Sequence, residues 1–171
     1  MNAIAIKHND QIIDLQTAEQ LGFEGEQIHL DNSEDSLEVL RHSTAHLMAQ
    51  AIKSLYPDAK FYVGPTVKEG FYYDFKTSQE IGESDLKNIE KTMIKLAKKK
   101  YDIEKYEITM DEAKEKFKDD ELKLEVMKRI PDDKVSIYKQ GEFEDLCRGP
   151  HLPNVKLIRH FKLLKIAGAY L

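Results

Sequence analysis

The sequence is poor in cysteine and contains no long hydrophobic run, no internal repeat and no low-complexity segment. Its single cysteine, Cys147, excludes an internal disulfide framework and leaves a free thiol, which is typical of a reducing compartment. No apolar run approaches the roughly 20 residues that a bilayer-spanning helix requires. We therefore expect a cytoplasmic protein with no membrane segment and no secretory signal.

Acidic charge dominates the chain, but it is concentrated near the N-terminus. The formal net charge is -5, and residues 1–40 hold nine acidic residues and one basic residue. Residues 41–171 therefore carry a small excess of basic residues, which leaves an RNA partner open. On one predicted helix, Lys87, Lys91 and Lys95 recur every four residues. This pattern has two interpretations: a stripe that binds phosphates, or an ordinary solvated surface.

The length of 171 residues, with 41% hydrophobic residues, predicts one main domain and a small appendage. Residues 1–35 have the pattern of a β-rich appendage, and residues 36–171 that of the main domain. The patterning predicts an α+β fold in which an antiparallel sheet packs with helices. The predicted elements are strands at 3–7, 11–15 and 26–30, a helical turn at 17–21 capped by Thr17, a long helix capped by Ser36 and ending before Tyr56, a hairpin within 60–76, helices at 84–100, 110–117 and 121–129, and strands at 101–108, 135–138, 142–145 and 161–166.

Two matching pairs of metal-ligating side chains stand about a hundred residues apart. His42 and His46 share one face of the predicted long helix, because residues four apart on a helix are neighbours. Cys147 and His151 have the same spacing, in a loop whose glycine and prolines suit a rigid turn. We predict that the chain folds so that these four side chains converge and that the remaining sequence shapes a pocket around them.

The chemistry of this set allows two interpretations. Three histidines and one cysteine are a ligand set that zinc accepts in tetrahedral geometry, and a site closed by all four would be structural. The zinc protease signature is excluded, because Ser43 stands where those enzymes need a glutamate. Without a metal, a neutral imidazole can act as a general base toward water near pH 7.

The same residues carry a resemblance to a known family. Residues 41–46 (RHSTAH), 64–65 (GP), 70–74 (GFYYD) and 145–151 (DLCRGPH) closely resemble the N-terminal editing domain of bacterial threonyl-tRNA synthetases. Residues 1–35 resemble the second half of the ubiquitin-like domain that often precedes it, and we assign that piece no function. Alanyl-tRNA synthetases share the related histidine and cysteine pairs, but the flanking residues resemble the threonyl enzymes.

The resemblance implies a proofreading hydrolase. Its substrate would be serine that was attached to tRNA(Thr) by mistake. Serine lacks the methyl group of threonine, and that group gives a binding pocket only about 1 to 3 kcal/mol of discrimination. A second pocket must therefore remove the smaller amino acid. That pocket would reject threonine through a clash with its methyl group. The implied partners are the acceptor end of tRNA(Thr) and the catalytic and anticodon-binding domains of a full-length synthetase. This fragment lacks the ATP motif, so we expect no aminoacylation.

The resemblance also assigns roles residue by residue. It implies that His42 positions or deprotonates water, that Lys123 stabilises negative charge or holds the terminal ribose, and that Asp145 binds the seryl amine or hydroxyl. The implied substrate-binding residues are His46, Gly64, Tyr73, Cys147 and His151. Lys128 is the alternative to Lys123, because the segment around Lys123 departs from the family pattern.

The family favours hydrolysis without a required cofactor, whereas its alanyl relatives carry zinc on the equivalent pairs. Zinc on His42, His46, Cys147 and His151 therefore remains possible. Two rival functions also remain. One is a non-catalytic module that binds the tRNA acceptor end around a structural zinc ion, and the other is a zinc hydrolase of a small substrate.

Overall fold

The computed structural model describes residues 2–167, within which helices combine with antiparallel strands. The helices are α1 (Leu15–Leu21), α2 (Glu34–Leu55), α3 (Leu86–Lys98), α4 (Met110–Lys116) and α5 (Glu121–Met127). The strands are β1 (Ala3–His8), β2 (Gln11–Asp14), β3 (Glu26–His29), β4 (Lys60–Phe61), β5 (Thr66–Val67), β6 (Gly70–Phe71), β7 (Phe75–Lys76), β8 (Glu104–Thr109), β9 (Lys134–Gln140) and β10 (Phe143–Leu146). The predicted α+β class is confirmed. Residues 168–171 of the predicted main domain lie outside the described residues.

Strand β1 is the centre of the N-terminal sheet, with β2 and β3 antiparallel on its two sides. Asn9 and Asp10 connect β1 to β2 with positive φ angles of 49° and 62°, as a two-residue hairpin turn requires. Helix α1 is capped by the carboxylate of Asp14, which accepts the Thr17 N–H at 3.1 Å. The prediction that Thr17 is the cap is therefore wrong, and the helix ends at Gly22, which has the left-handed conformation.

Helix α2 is the predicted histidine-bearing helix, but it begins earlier than expected. Its N-cap is Ser33, whose hydroxyl accepts the Ser36 N–H at 3.4 Å. Ser36 is buried, and its own hydroxyl accepts the Asp31 N–H at 3.0 Å. The prediction that Ser36 is the cap is wrong because the hydroxyl of Ser33 meets the first free N–H groups almost one turn earlier.

Helix α2 also forms the centre of the main hydrophobic core. Its buried apolar side chains are mostly small: Val39, Ala45, Leu47, Ala49, Ala51 and Ile52. Helix α3 packs against α2 and contributes Ile89, Met93 and Ala97. Ile4 and Ile28 of the N-terminal sheet belong to the same core cluster. Within residues 2–167, no helix combines the length and apolar character needed to cross a bilayer.

The aromatic segment 60–76 is a hairpin, as predicted. Strand β4 pairs with β7, and β5 pairs with β6 nearer the tip. Phe61 and Tyr73 are buried, whereas Tyr72 is 47% exposed, so the two buried rings are part of the core rather than a surface platform. Between the β4–β7 pair and the β5–β6 pair, the Tyr62 N–H donates to the Asp74 carbonyl at 2.8 Å. The neighbouring Tyr73 side chain packs in the core.

The third sheet has the order β10-β9-β8, and β9 is its central strand. Helix α4 follows β8 directly. Its start is a capping box in which the Thr109 hydroxyl accepts the Glu112 N–H and the Glu112 carboxylate accepts the Thr109 N–H, both at 3.1 Å. Antiparallel pairing places Asp145 on β10 opposite Tyr138 on β9. The loop that follows β10 is thereby anchored beside the N-terminal half of α2.

The prediction of a strand at 161–166 is wrong. Residues 161–167 are irregular and pair with no strand of the described chain. The Leu163 N–H donates instead to the carboxylate of Glu90 on α3 at 2.7 Å. Alternation is present, with Leu163 buried and Leu164 80% exposed, but it reflects packing of an extended segment on a helix. Alternation with a period of two therefore indicates that one face of the segment is buried, but it does not show that the segment belongs to a sheet.

Two neighbouring residues of α3 test this packing. Met93→Ala removes a side chain with no exposed surface, so it should lower the free energy of unfolding by about 2 to 5 kcal/mol in urea titrations. Ile94→Ala is the matched control, because Ile94 is 45% exposed and surface substitutions change stability by only about 0.5 kcal/mol. Equal losses from both variants would contradict the described contact between α2 and α3.

Candidate active site

The four paired side chains meet in space. Helix α2 supplies His42 and His46, and the loop after β10 supplies Cys147 and His151. Their ligating atoms all lie within 4.8 Å of one another. The predicted convergence is confirmed, and it arises because the loop packs across the helix at the level of the two histidines.

Hydrogen bonds from the far side of each ring orient two of the imidazoles. His42 Nδ1 lies 3.1 Å from the Pro150 carbonyl oxygen, so it carries the proton and donates. His42 Nε2 consequently presents its lone pair to the cluster, 3.2 Å from Cys147 Sγ. His151 Nδ1 lies 3.0 Å from Ser43 Oγ, and its Nε2 lies 3.3 Å from the same sulfur. Both rings are thus fixed before any ligand arrives.

Burial keeps this cluster neutral. Desolvation lowers the pKa of His46 to about 3 and lowers the pKa of His151 well below its ordinary value. Desolvation also lowers the pKa of His42, although the hydrogen bond to Pro150 opposes it. The pKa of the Cys147 thiol is raised to about 12, again mainly by burial. At neutral pH the site therefore offers uncharged imidazoles and a protonated thiol.

A buried ion pair lies behind the cluster. The Lys123 ammonium pairs with the Asp145 carboxylate, and both side chains are almost fully buried. Asp145 also accepts a hydrogen bond from the Tyr73 hydroxyl, and its Oδ2 lies 3.9 Å from His46 Nε2. Lys123 Nζ donates in addition to the Tyr62 carbonyl at 3.3 Å. The pair therefore holds the aromatic hairpin through Tyr73 and Tyr62, and it lies beside the second histidine of α2.

A cleft of about 440 Å³ opens in front of the cluster. Its floor includes His42, His46 and Cys147, and its wall includes Gly64 and Tyr73. A Cβ at Gly64 would overlap the Tyr73 ring, so only glycine lets the hairpin backbone lie flat on that ring. This cleft is the concave, partly apolar site in which a small group could reach the imidazoles.

Lys123 and Asp145 do not line this cleft. They lie at the edge of a second cavity of about 1060 Å³ on the other side of the hairpin. The structure places Lys123, rather than Lys128, beside Asp145, because Lys128 is exposed and pairs with Glu125 at 2.9 Å. His151 is buried beneath the cluster.

Residues that the motifs did not single out complete the site. Ser43 is fully buried, and its hydroxyl both contacts His151 Nδ1 and accepts the Leu152 N–H at 2.9 Å. The signal in the sequence was a polar residue between two histidines on a helix face that is otherwise apolar. Arg129, Lys134 and Arg148 are exposed at the cleft, a set that only the folded chain assembles.

Comparison with known proteins identifies the family. Residues 135–169 match the family described as the threonyl and alanyl tRNA synthetase second additional domain. The chain is 66%, 62% and 61% identical to the threonine–tRNA ligases of Nautilia profundicola, Helicobacter hepaticus and Campylobacter jejuni, over 98% to 99% of its own length. The chain belongs to the threonyl-tRNA synthetase family. It spans 28% of the length of each of these three relatives.

The donor set of this synthetase segment fits a zinc ion. The nitrogens that face Cys147 belong to rings whose other nitrogens contact the Pro150 carbonyl and the Ser43 hydroxyl, and such outer contacts are typical of metal-ligating histidines. His42, His46, Cys147 and His151 would hold the ion. With four protein ligands it would act structurally, by stabilising the contact between helix and loop.

The buried ion pair gives a first prediction for this site. Lys123→Met leaves the Asp145 carboxylate buried without its counter-charge, so we expect a loss of about 3 to 5 kcal/mol in the free energy of unfolding. Lys128→Met is the matched control, since exposed pairs contribute no more than about 1 kcal/mol. Urea titration measures both. A Lys123→Met chain as stable as the native chain would show that the two buried groups are not paired.

The lowered histidine pKa values predict a pH dependence of stability. Below pH 6.5 the unfolded chain binds protons that the buried His42, His46 and His151 do not, so stability must fall as the pH drops from 7 to 5. Each histidine contributes up to about 1.4 kcal/mol per pH unit. His46→Gln should reduce this slope, whereas His160→Gln at an exposed position should not. Titrations with a chelator present would contradict the account if stability were constant over this range.

Proposed function

We propose that the chain is an aminoacyl-tRNA ester hydrolase that removes serine from tRNA(Thr). The observation that carries the proposal is the neutral, oriented imidazole of His42 at the floor of an open cleft. Its Nδ1 proton is committed to Pro150, so Nε2, which lies 3.2 Å from Cys147 Sγ, carries the lone pair that can accept a proton. Nε2 would take a proton from a water molecule as the water oxygen attacks the ester carbonyl. The imidazolium would then return this proton to the terminal ribose oxygen as the ester bond breaks.

Selectivity for serine would come from the shape of the cleft. Serine and threonine differ by one methyl group, and the binding pocket of an aminoacylation site can use that group to discriminate by only about 1 to 3 kcal/mol. The hairpin wall of Gly64 and Tyr73 is rigid, because the Tyr73 hydroxyl is held by buried Asp145. A rigid wall excludes an added methyl by steric overlap, and this supports a second, smaller sieve. His46 and Cys147 would complete the surface around the seryl group, and buried His151 would support Cys147 from behind.

Lys123 and Asp145 would affect the reaction indirectly, by holding the Tyr73 side chain that forms part of the cleft wall. In the described state their charges are paired with each other, away from the cleft. We propose that Asp145 fixes Tyr73 and His46 and that Lys123 neutralises Asp145. The direct roles implied by the family, in which Lys123 stabilises negative charge or holds ribose and Asp145 binds the seryl amine or hydroxyl, would require this pair to separate when tRNA binds.

The nucleic-acid partner would approach over a basic rim. Arg129, Lys134 and Arg148 are exposed at the cleft and form no ion pair within residues 2–167. Three cations at the mouth outnumber Asp132, the acidic side chain that also lines the cleft, and are suited to the phosphates of an acceptor end. We propose that residues 36–171 form the editing domain, that residues 1–35 are its appendage, and that both work in the cytoplasm beside the catalytic and anticodon-binding domains of a complete synthetase.

A second candidate function rests on the four donor atoms within 4.8 Å of one another. If a zinc ion closes the site, the chain would be a non-catalytic module that holds the tRNA acceptor end. The two candidates differ in one measurable property, because only a hydrolase releases serine from the charged tRNA.

The decisive experiment is single-turnover deacylation with the chain in excess. We expect release of serine from Ser-tRNA(Thr) and little release of threonine from Thr-tRNA(Thr). His42→Ala should slow seryl release by about 10²- to 10⁴-fold, since it removes the proposed general base. Circular dichroism would verify that the variant is folded. A folded His42→Ala chain with the native rate would exclude His42 from the mechanism.

Controls separate the two candidates. His160→Ala removes an exposed histidine and should leave the deacylation rate unchanged. The assay is repeated with a chelator and after zinc is restored, alongside metal analysis of the purified chain. Activity unchanged by the chelator supports metal-independent hydrolysis. A tightly bound zinc ion together with no release of serine would favour the binding module.

A further inference from the structure

Asp14 is a buried carboxylate that belongs to the N-terminal appendage and reaches the catalytic loop. Only 5% of its surface is exposed, and it lies at the end of β2, at the position that caps α1. Its Oδ1 serves the cap by accepting the Thr17 N–H. Its Oδ2 is directed away from the helix, toward the loop that carries Cys147 and His151. Capping therefore accounts for only one of the two carboxylate oxygens.

Two groups of the main domain donate to this second oxygen. The His151 backbone N–H lies 3.2 Å from Asp14 Oδ2, and the Tyr138 hydroxyl donates to the same atom. The Tyr138 ring also packs on the His151 imidazole, with ring centroids 4.4 Å apart. Asp14 thus holds the backbone of His151 directly and its imidazole through Tyr138. Hydrogen bonds to a buried carboxylate are among the stronger ones in proteins.

The same contact restrains the turn between the two loop ligands. Gly149 has φ +79°, and a Cβ there would overlap the Tyr138 hydroxyl and lie 3.1 Å from Asp14 Oδ2. The Gly149 N–H in turn lies 3.3 Å from Cys147 Sγ. The turn is therefore packed tightly against the pair formed by Asp14 and Tyr138, so displacement of that pair would release the thiol and the imidazole together.

The appendage is attached firmly enough to serve as a support. Gln16 on α1 donates to the Ile103 carbonyl and accepts the Lys105 N–H at 2.8 Å. Lys105 Nζ donates to the Thr17 hydroxyl at 2.8 Å. These contacts hold α1 beside β8, on the main domain but away from the loop. They offer a control, because they join the same two pieces of chain without touching Cys147 or His151.

We propose that Asp14 is a positioning residue for the editing site. The N-terminal appendage would support hydrolysis by fixing the loop that carries Cys147 and His151. This role rests on the proposed function for its effect on turnover, but the restraint on the loop is a property of the free chain. The proposal rests on one contact: the Tyr138 hydroxyl and the His151 N–H both donate to Asp14 Oδ2.

Cys147 provides a direct probe, because it is the only thiol in the chain. Its reaction with an aromatic disulfide reagent is followed with a chelator present, so that a metal cannot mask the thiol. Asp14→Ser retains a good helix cap but is too short to reach His151, so the thiol should react at least about tenfold faster, because the bonds to Tyr138 and His151 are both lost and one charge-assisted hydrogen bond alone is worth about that factor. Tyr138→Phe, which keeps the cap untouched, should also accelerate the reaction.

Turnover distinguishes positioning from a general loss of stability. For Asp14→Ser we expect kcat for seryl release to fall about tenfold or more with KM unchanged, because displaced catalytic groups affect the reaction rather than tRNA binding. Gln16→Ala is the matched control. It should lower the unfolding midpoint by removing two contacts of α1, yet leave both the thiol rate and kcat at native values.

Three results would overturn the proposal. One is a native thiol rate in folded Asp14→Ser, another is a native thiol rate and kcat in Tyr138→Phe, and the third is equal acceleration in Gln16→Ala. The Tyr138→Phe measurement keeps the test decisive if Asp14→Ser does not fold. Failure of the native chain to release serine would refute the proposed function alone, because the thiol rates are measured without tRNA.

Discussion

The contact between helix α2 and the loop after β10 is the constraint on which the site depends. It is made by polar groups in a dry environment: the Pro150 carbonyl faces His42 Nδ1, and the Ser43 hydroxyl lies between His151 Nδ1 and the Leu152 N–H. Unmade polar contacts are costly when buried, so each bond selects one orientation of its ring. The result is a cluster of neutral imidazoles that is oriented in the free protein.

Burial divides the ionisable groups of this region into two kinds. Groups at the cleft are kept uncharged by desolvation, whereas Lys123 and Asp145 remain buried by pairing with each other. Neutral imidazoles at the cleft and a buried charge pair behind them therefore coexist, with Asp145 Oδ2 3.9 Å from His46 Nε2. Asp145 contacts both the Tyr73 hydroxyl and the edge of His46, which places the hairpin wall beside helix α2.

The N-terminal sheet is part of this arrangement rather than an independent addition. Its Ile4 and Ile28 share the main core, and its Asp14 reaches the backbone of His151. The N-terminal sheet and the loop that carries His151 are therefore in direct contact. Asp14 is one of the nine acidic residues in positions 1–40. It is buried, and it accepts hydrogen bonds from Tyr138 and His151.

The sequence by itself determined the elements whose signals are local. The four-residue spacing of His42 and His46 and the apolar periodicity around them predicted helix α2 correctly, and the motifs predicted the family. Caps at Ser33 and Asp14 were missed because several adjacent polar residues can supply an oxygen, and only the packed chain selects one. The segment 161–166 has the period of a strand, but it pairs with no strand within residues 2–167.

Only the tertiary structure decided which distant groups share an environment. It paired Lys123 with Asp145 behind the hairpin, gave Ser43 its place beneath His151, and brought Asp14 to the loop across 137 positions. No sequence spacing encodes these contacts, because they depend on how α2, β9 and β10 pack after each has formed. Desolvation, which lowers the histidine pKa values, likewise arises only when the core closes over the site.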